Sequence, residues 1–238
     1  MNQIEKGEKS NLYFTFFCIL FASLLLLSNM TLKLFKAPFF PQMALTSGLI
    51  TYPITFLITD TVTEVWGKKK AKWMVVIAFT MNLLMLIFIK ATIALPAHSE
   101  WLIPGNAFGY DSIHGYQTAL ESVFSVSSYI LFGSTVAYLV SQFFDIYLFD
   151  VIKRKTKGKH LWLRNNVSTC TSQLLDTFIM DGIVLYFGLG MELKTCFVIG
   201  LCVYVYKVIF ALLDTPFVYL FTRFLKNKLG DSENVQTA

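Results

Sequence analysis

Charge is scarce in this chain. Of its 238 residues, 15% are Asp, Glu, Lys or Arg, where soluble domains carry about a quarter. Histidine occurs at only three positions, His98, His114 and His160, and never in an HExxH or similar ligand spacing. The four cysteines, Cys18, Cys170, Cys196 and Cys202, make no CxxC pair, so neither a disulfide framework nor a zinc site is indicated. Each lies in an apolar run, where a thiol packs as a small hydrophobe. There is no P-loop, no GxSxG elbow and no GxGxxG, and no nucleophile stands beside a base. An enzyme is therefore not expected, and no cofactor or metal is implied.

What the chain has instead is hydrophobe, at 55% of residues with a mean hydropathy of +0.58. Six apolar runs stand out, at residues 12–32, 42–59, 73–95, 123–149, 167–189 and 196–222. At 1.5 Å rise per residue, each reaches across a hydrocarbon core of about 30 Å, the second only just. Backbone polar groups in lipid must be satisfied within the segment, and the alternation of a membrane barrel is missing. The expected fold is an all-α integral membrane protein with six transmembrane helices. The first run is too long for a signal peptide and lacks a small-x-small cleavage site, so it is kept as a helix. The expected division is a tail over 1–11, a six-helix transmembrane domain over 12–222 and a tail over 223–238.

Lys and Arg set the orientation. Lys6 and Lys9, the cluster Lys68, Lys69, Lys70 and Lys72, the run from Lys153 to Arg164, and Arg223, Lys226 and Lys228 fall on one side. Only Lys33, Lys36, Lys90 and Lys194 fall on the other. Both termini are expected in the cytoplasm. The net charge of +5 is this topology signal and calls for no nucleic-acid partner. The outer connection 96–122 holds Trp101, Phe108, Tyr110 and Tyr116, which reads as an interfacial aromatic belt or as a lid over an opening.

Ionisable residues inside a membrane span cost at least about 2.5 kcal/mol each and mark function by default. Here they are Asp60 and Glu64 at the inner end of the second run, Asp145 in the fourth, Asp176 and Asp181 in the fifth, and Lys207 and Asp214 in the sixth, with Asn29 and Asn82 as buried amides. A five-residue pattern occurs twice: SQFFD at 141–145 and SQLLD at 172–176. Positions i, i+1 and i+4 of a helix share one face. Ser141, Gln142 and Asp145 therefore share a face, and so do Asn165, Thr169, Ser172 and Asp176, with Gln173 at its edge. A short loop joins these runs, so they are expected to pack antiparallel with the two patterns level, forming opposite walls of one site. Lys207 lies at the depth of Asp176 and is expected to pair with it. Pro216, just past Asp214, is expected to loosen the last helix.

Other readings compete. Glu64 and Lys68 form an i,i+4 pair that fits a plain boundary salt bridge. Asp150 and Asp181 read as end-of-span or packing residues, and Asn82 as glue between helices. The carboxylates and Lys207 would also serve as a structural ion network. Against that, carboxylates, amides and hydroxyls walled by Phe and Tyr suit a flat polar heterocycle. A carboxylate accepts two N–H bonds from an amidine-like edge.

The blocks YPITFLITDTVTEVWGKKKA (52–71), AYLVSQFFDIYLF (137–149), WLRNNVSTCTSQLLDTFI (162–179) and YKVIFALLDTPFVY (206–219), with Ser28-Asn29 in the first run, resemble the queuosine-precursor transporter family, also called the vitamin uptake transporter family. The resemblance implies import of a 7-deazaguanine such as preQ0, preQ1 or queuine for tRNA wobble modification. It also implies a fold similar to the six-helix substrate-binding subunits of energy-coupling-factor transporters, in the bacterial inner membrane. It carries substrate binding onto Asn29, Asp60, Gln142, Asp145, Gln173, Asp176 and Lys207. Either Asp176 or Asp145 would read the N–H pair of the base. Glu64 and Asp214 are the candidates for gating or proton coupling. An alternative is a binding subunit driven by a separate ATPase, against which Ala22 is followed four residues on by Leu26 and not by a second small residue. A transporter for another flat heterocycle is a further alternative. The sequence leaves the coupling ion and the oligomeric state open, a homodimer included.

Overall fold

Gly67 carries φ 84°, a backbone setting that glycine adopts without strain, and there the chain reverses between two long helices with a single intervening residue. The computed structural model describes residues 3–30, 34–36, 44–98, 101, 112–124 and 128–229. Within them lie α1 (Gln3–Met30), α2 (Gly48–Trp66), α3 (Lys68–Ala94), α4 (Ile113–Phe124), α5 (Ser128–Lys155), α6 (Leu161–Met180) and α7 (Leu193–Leu229). A π-helical stretch, Asp181–Gly188, continues α6, with Leu189 N–H donating to Val184 O across five residues at 3.0 Å. The described residues are all-α as expected, but for one short ribbon. Strands β1 (Leu34–Lys36) and β2 (Ala44–Thr46) pair antiparallel with Phe35 opposite Leu45.

An apolar core that includes Phe21, Val62, Met74 and Ile146 lies beside many buried polar groups. Among the described residues, four helices are long and apolar enough to cross a membrane: α1, α3, α5 and α7. They turn large apolar side chains outward, including Phe16, Ile87, Phe88, Phe197 and Leu213. The two polar helices sit inside. From Thr55 to Trp66, nearly every residue of α2 is buried, Asp60 and Glu64 among them. On α6, Arg164, Asn165, Ser168, Thr169, Ser172 and Gln173 are buried. In lipid an apolar surface costs nothing, and hydroxyls, amides and charges gain from partners inside. The chain is thus a multi-pass membrane protein with a polar interior.

α5 and α6 are joined by only 156–160, where Lys157, Gly158 and His160 take positive φ to reverse the chain. They form an antiparallel hairpin, and this is the most extensive helix pairing in the bundle. α2 runs through the middle, against α1, α3, α5 and α7. The fourth apolar run divides differently from expectation. Helix α4 ends at Phe124 and α5 begins at Ser128, so part of the connection read as loop is helical. Within it, the Trp101 and Tyr116 rings lie 4.6 Å apart. Phe108 and Tyr110 lie outside the described residues.

Candidate substrate site between α2, α5, α6 and α7

The two SQxxD patterns meet. Ser141 Oγ donates to Asp176 Oδ1 at 3.3 Å, and Ser172 Oγ donates to Asp145 Oδ1 at 3.1 Å. Each serine thus reaches the aspartate of the other pattern. Only an antiparallel pair with the patterns at one level permits this reciprocity. Each serine also donates back to its own helix, to Tyr138 O and Thr169 O.

Lys207 of α7 closes the site from a third side. Its Nζ lies 2.5 Å from Asp176 Oδ2 and 3.2 Å from Thr177 Oγ1. Both partners of the ion pair are largely buried, so each offsets the desolvation of the other. On the α2 side, Thr169 Oγ1 donates to Asp60 Oδ2 at 3.2 Å. Asp60 and Asp145 neighbour each other. The hydroxyls of Thr169 and Ser172 donate to this carboxylate pair, and among the described residues Asp60 Oδ1 and Asp145 Oδ2 accept no hydrogen bond.

Gln142 and Gln173 part company. Gln173 lines a cavity with Tyr52, Phe56, Lys207, Phe210 and Asp214. Gln142 is fully buried in the packing, off that cavity, and its amide has no hydrogen-bond partner. The level is as the spacing required, but the two amides are not brought to one cavity wall. The reason is angular: i and i+1 on a helix differ by about 100°, so a serine aimed along the seam turns its neighbour aside. The cavity itself holds about 10 Å³, room for a single water at most.

Asn29 is placed elsewhere. Its Nδ2 donates to Asn82 Oδ1 at 2.8 Å, which ties α1 to α3. Asp214 lies on the cavity wall, and the next residue, Thr215, donates to Asn166 Oδ1 at 3.0 Å. α7 stays helical through Pro216 to Leu229.

Glu64 departs furthest from its simple reading. It is not the partner of Lys68, which pairs with Asp150 at 3.6 Å. Instead Glu64 gathers three cations from three helices: Arg164 Nη2 at 2.6 Å, Lys226 Nζ at 2.7 Å and Lys153 Nζ at 3.1 Å. Lys153 also donates to the Glu64 backbone carbonyl at 2.9 Å. Arg164 is 1% exposed, donates to Gly158 O and Lys159 O, and lies over the Phe149 ring. One carboxylate therefore binds the ends of α2, α5, α6 and α7 together. The spacing of the sequence gave Arg164, Lys153 and Lys226 no role beyond orientation. The available signal was Arg164 itself, an arginine inside the polar run that opens α6.

A sequence profile described as "Putative vitamin uptake transporter" matches residues 46–221. That stretch holds α2, the α5–α6 hairpin and Lys207, and leaves out Asn29 and Lys226. The chain belongs to the vitamin uptake transporter family. Among curated proteins, the "Probable queuosine precursor transporter" of Bacillus subtilis (strain 168) is 31% identical over 186 residues, which cover 76% of this chain and 73% of that protein. No solved structure matches. Family membership supports a transporter role for the chain.

Proposed function

We propose that the protein imports a queuosine precursor, a 7-deazaguanine such as preQ0, preQ1 or queuine, across the bacterial cytoplasmic membrane. The observation that carries this reading is the Lys207–Asp176 pair on the seam of the two SQxxD patterns. It supplies a buried carboxylate, held in place by a cation, beside an aromatic-walled cavity. The likeness to the Bacillus subtilis probable queuosine precursor transporter supports the substrate class. On this reading Asp176 accepts the N–H pair of the base, Gln173 meets its carbonyl edge, and Tyr52 and Phe210 cover its faces. Asp145 and Asp60 extend the polar wall.

A bicyclic base needs many times 10 Å³, so α2, α6 and α7 must part to admit it. The conformation described is then a contracted one. Glu64 is the tie that opens on the way out, because the cluster it organises closes the basic end of the bundle. Asp214 stands between the cavity and that end. We take α2 and α6 as spans alongside the four apolar helices, giving six, with the basic end and both termini in the cytoplasm. Their polar residues lower their hydropathy and are what puts them inside. The transporter domain is 12–222, flanked by the tails 1–11 and 223–238.

The test is uptake in cells that lack both queuosine synthesis and their own salvage transporter. Each base is supplied at low concentration, and queuosine in tRNA is assayed. One base restores it through this protein, and Asp176→Asn abolishes the restoration at equal membrane expression. Restoration by none of the three, from an inserted protein, would sink the reading.

A further inference from the structure

A far larger cavity lies between α7 and the α6 helix with its π-helical extension, in the half of the bundle remote from Glu64. It measures about 720 Å³, within the roughly 300–1,000 Å³ of small-molecule sites, against about 10 Å³ beside Gln173. Most of its lining is apolar, with the rings of Phe178, Tyr186, Phe197 and Tyr204 among it. Its charged groups are Lys194 and Asp181, the first residue of the π stretch. Among the described residues the Asp181 carboxylate accepts no hydrogen bond and closes no ion pair. The cation that acts on it is Lys207, already committed to Asp176. Gly200 makes its room, for a Cβ there would overlap Asp181 Oδ2. At the floor is Thr177, which lines this cavity and whose hydroxyl accepts from Lys207. One layer of side chains therefore separates the groove from the ion pair.

A carboxylate that closes no ion pair in a mostly apolar groove is costly, and π-helical insertions collect at functional sites. We infer that this groove is a loading site, in which Asp181 takes the N–H edge of a flat heterocycle and the aromatic rings take its faces, before the solute passes Thr177 to Lys207 and Asp176. The inference rests on the import reading above and adds a second binding site to it.

The experiment titrates external preQ1 in the same cells and reads queuosine in tRNA for wild type, Asp181→Asn and Gly200→Ala. The glycine variant displaces the carboxylate without removing its charge, and so covers the case in which Asp181→Asn fails to insert. Half-saturation is expected to rise about tenfold in both variants, the size of one lost charge-assisted contact, with full modification still reached at saturating preQ1. In parallel, Phe197→Cys is labelled with a maleimide in membranes and the adduct at that position is quantified by mass spectrometry. preQ1 is expected to slow the labelling several-fold. Unchanged half-saturation in the variants, or labelling indifferent to preQ1, overturns the loading site and leaves the groove to lipid chains. If inserted wild-type protein restores queuosine with no base, the import reading falls and the loading site falls with it.

Discussion

Lys207 and Asp176 each would be costly alone at their depth, and together they are held at 2.5 Å. Removing one partner leaves an uncompensated buried charge, so Lys207→Met is expected to cost about 3 kcal/mol and to lower the melting temperature of the purified protein. Replacing both, as Lys207→Met with Asp176→Asn, should recover most of that stability and none of the uptake. A double variant that transports would make the pair purely structural. Glu64 poses the converse case, with three cations around a single carboxylate. Glu64→Gln leaves their mutual repulsion unopposed, and a loss of about 3–5 kcal/mol is expected by thermal unfolding in detergent. Were the melting temperature unchanged, the cluster would not be holding the basic end closed.

At the scale of elements, the α5–α6 hairpin is the unit on which the site is built. Its two reciprocal Ser–Asp bonds have equivalent geometry, so Ser141→Ala and Ser172→Ala should each cost about 1 kcal/mol, the net worth of an ordinary hydrogen bond. The two bonds share a seam, so their effects should not simply add, and a double-mutant cycle measures the coupling. Near the other end of the hairpin, Gly133 lets α5 approach the π stretch closely, for a Cβ there would overlap the Val184 side chain. Gly133→Leu should push the π stretch away from α5 and disturb Asp181 before it disturbs the SQxxD seam. Uptake by that variant should show raised half-saturation ahead of any fall in maximal rate. An equal fall in both would place the damage at the seam.

At the scale of the molecule, polar helices inside and apolar helices outside define a protein that needs a bilayer to stay folded. The basic end gathers Lys68, Lys153, Arg154, Arg164 and Lys226. If that end is cytoplasmic, a tag at either terminus should be sheltered from protease in intact cells and cut in inverted membrane vesicles. Cleavage in intact cells would reverse the orientation and, with it, the direction assigned to the Glu64 tie.

The sequence by itself determined the membrane class, because the apolar runs are long and the charges few. It also determined the level of the two SQxxD patterns, because helical rise is constant and the joining loop is short. The pairing of Lys207 with Asp176 followed from depth alone. Rotation about the helix axes was decided only in the tertiary structure. Spacing along a chain gives height in the bundle, whereas the direction a side chain faces depends on which neighbours pack against it. That is why Gln142 and Gln173 share a level and not a cavity, and why Asn29 meets Asn82 and not the cavity beside Gln173. It is also why Glu64 is joined by three cations that lie 89, 100 and 162 residues away along the chain, and why Asp181 emerges in a groove that the linear pattern gave no reason to expect.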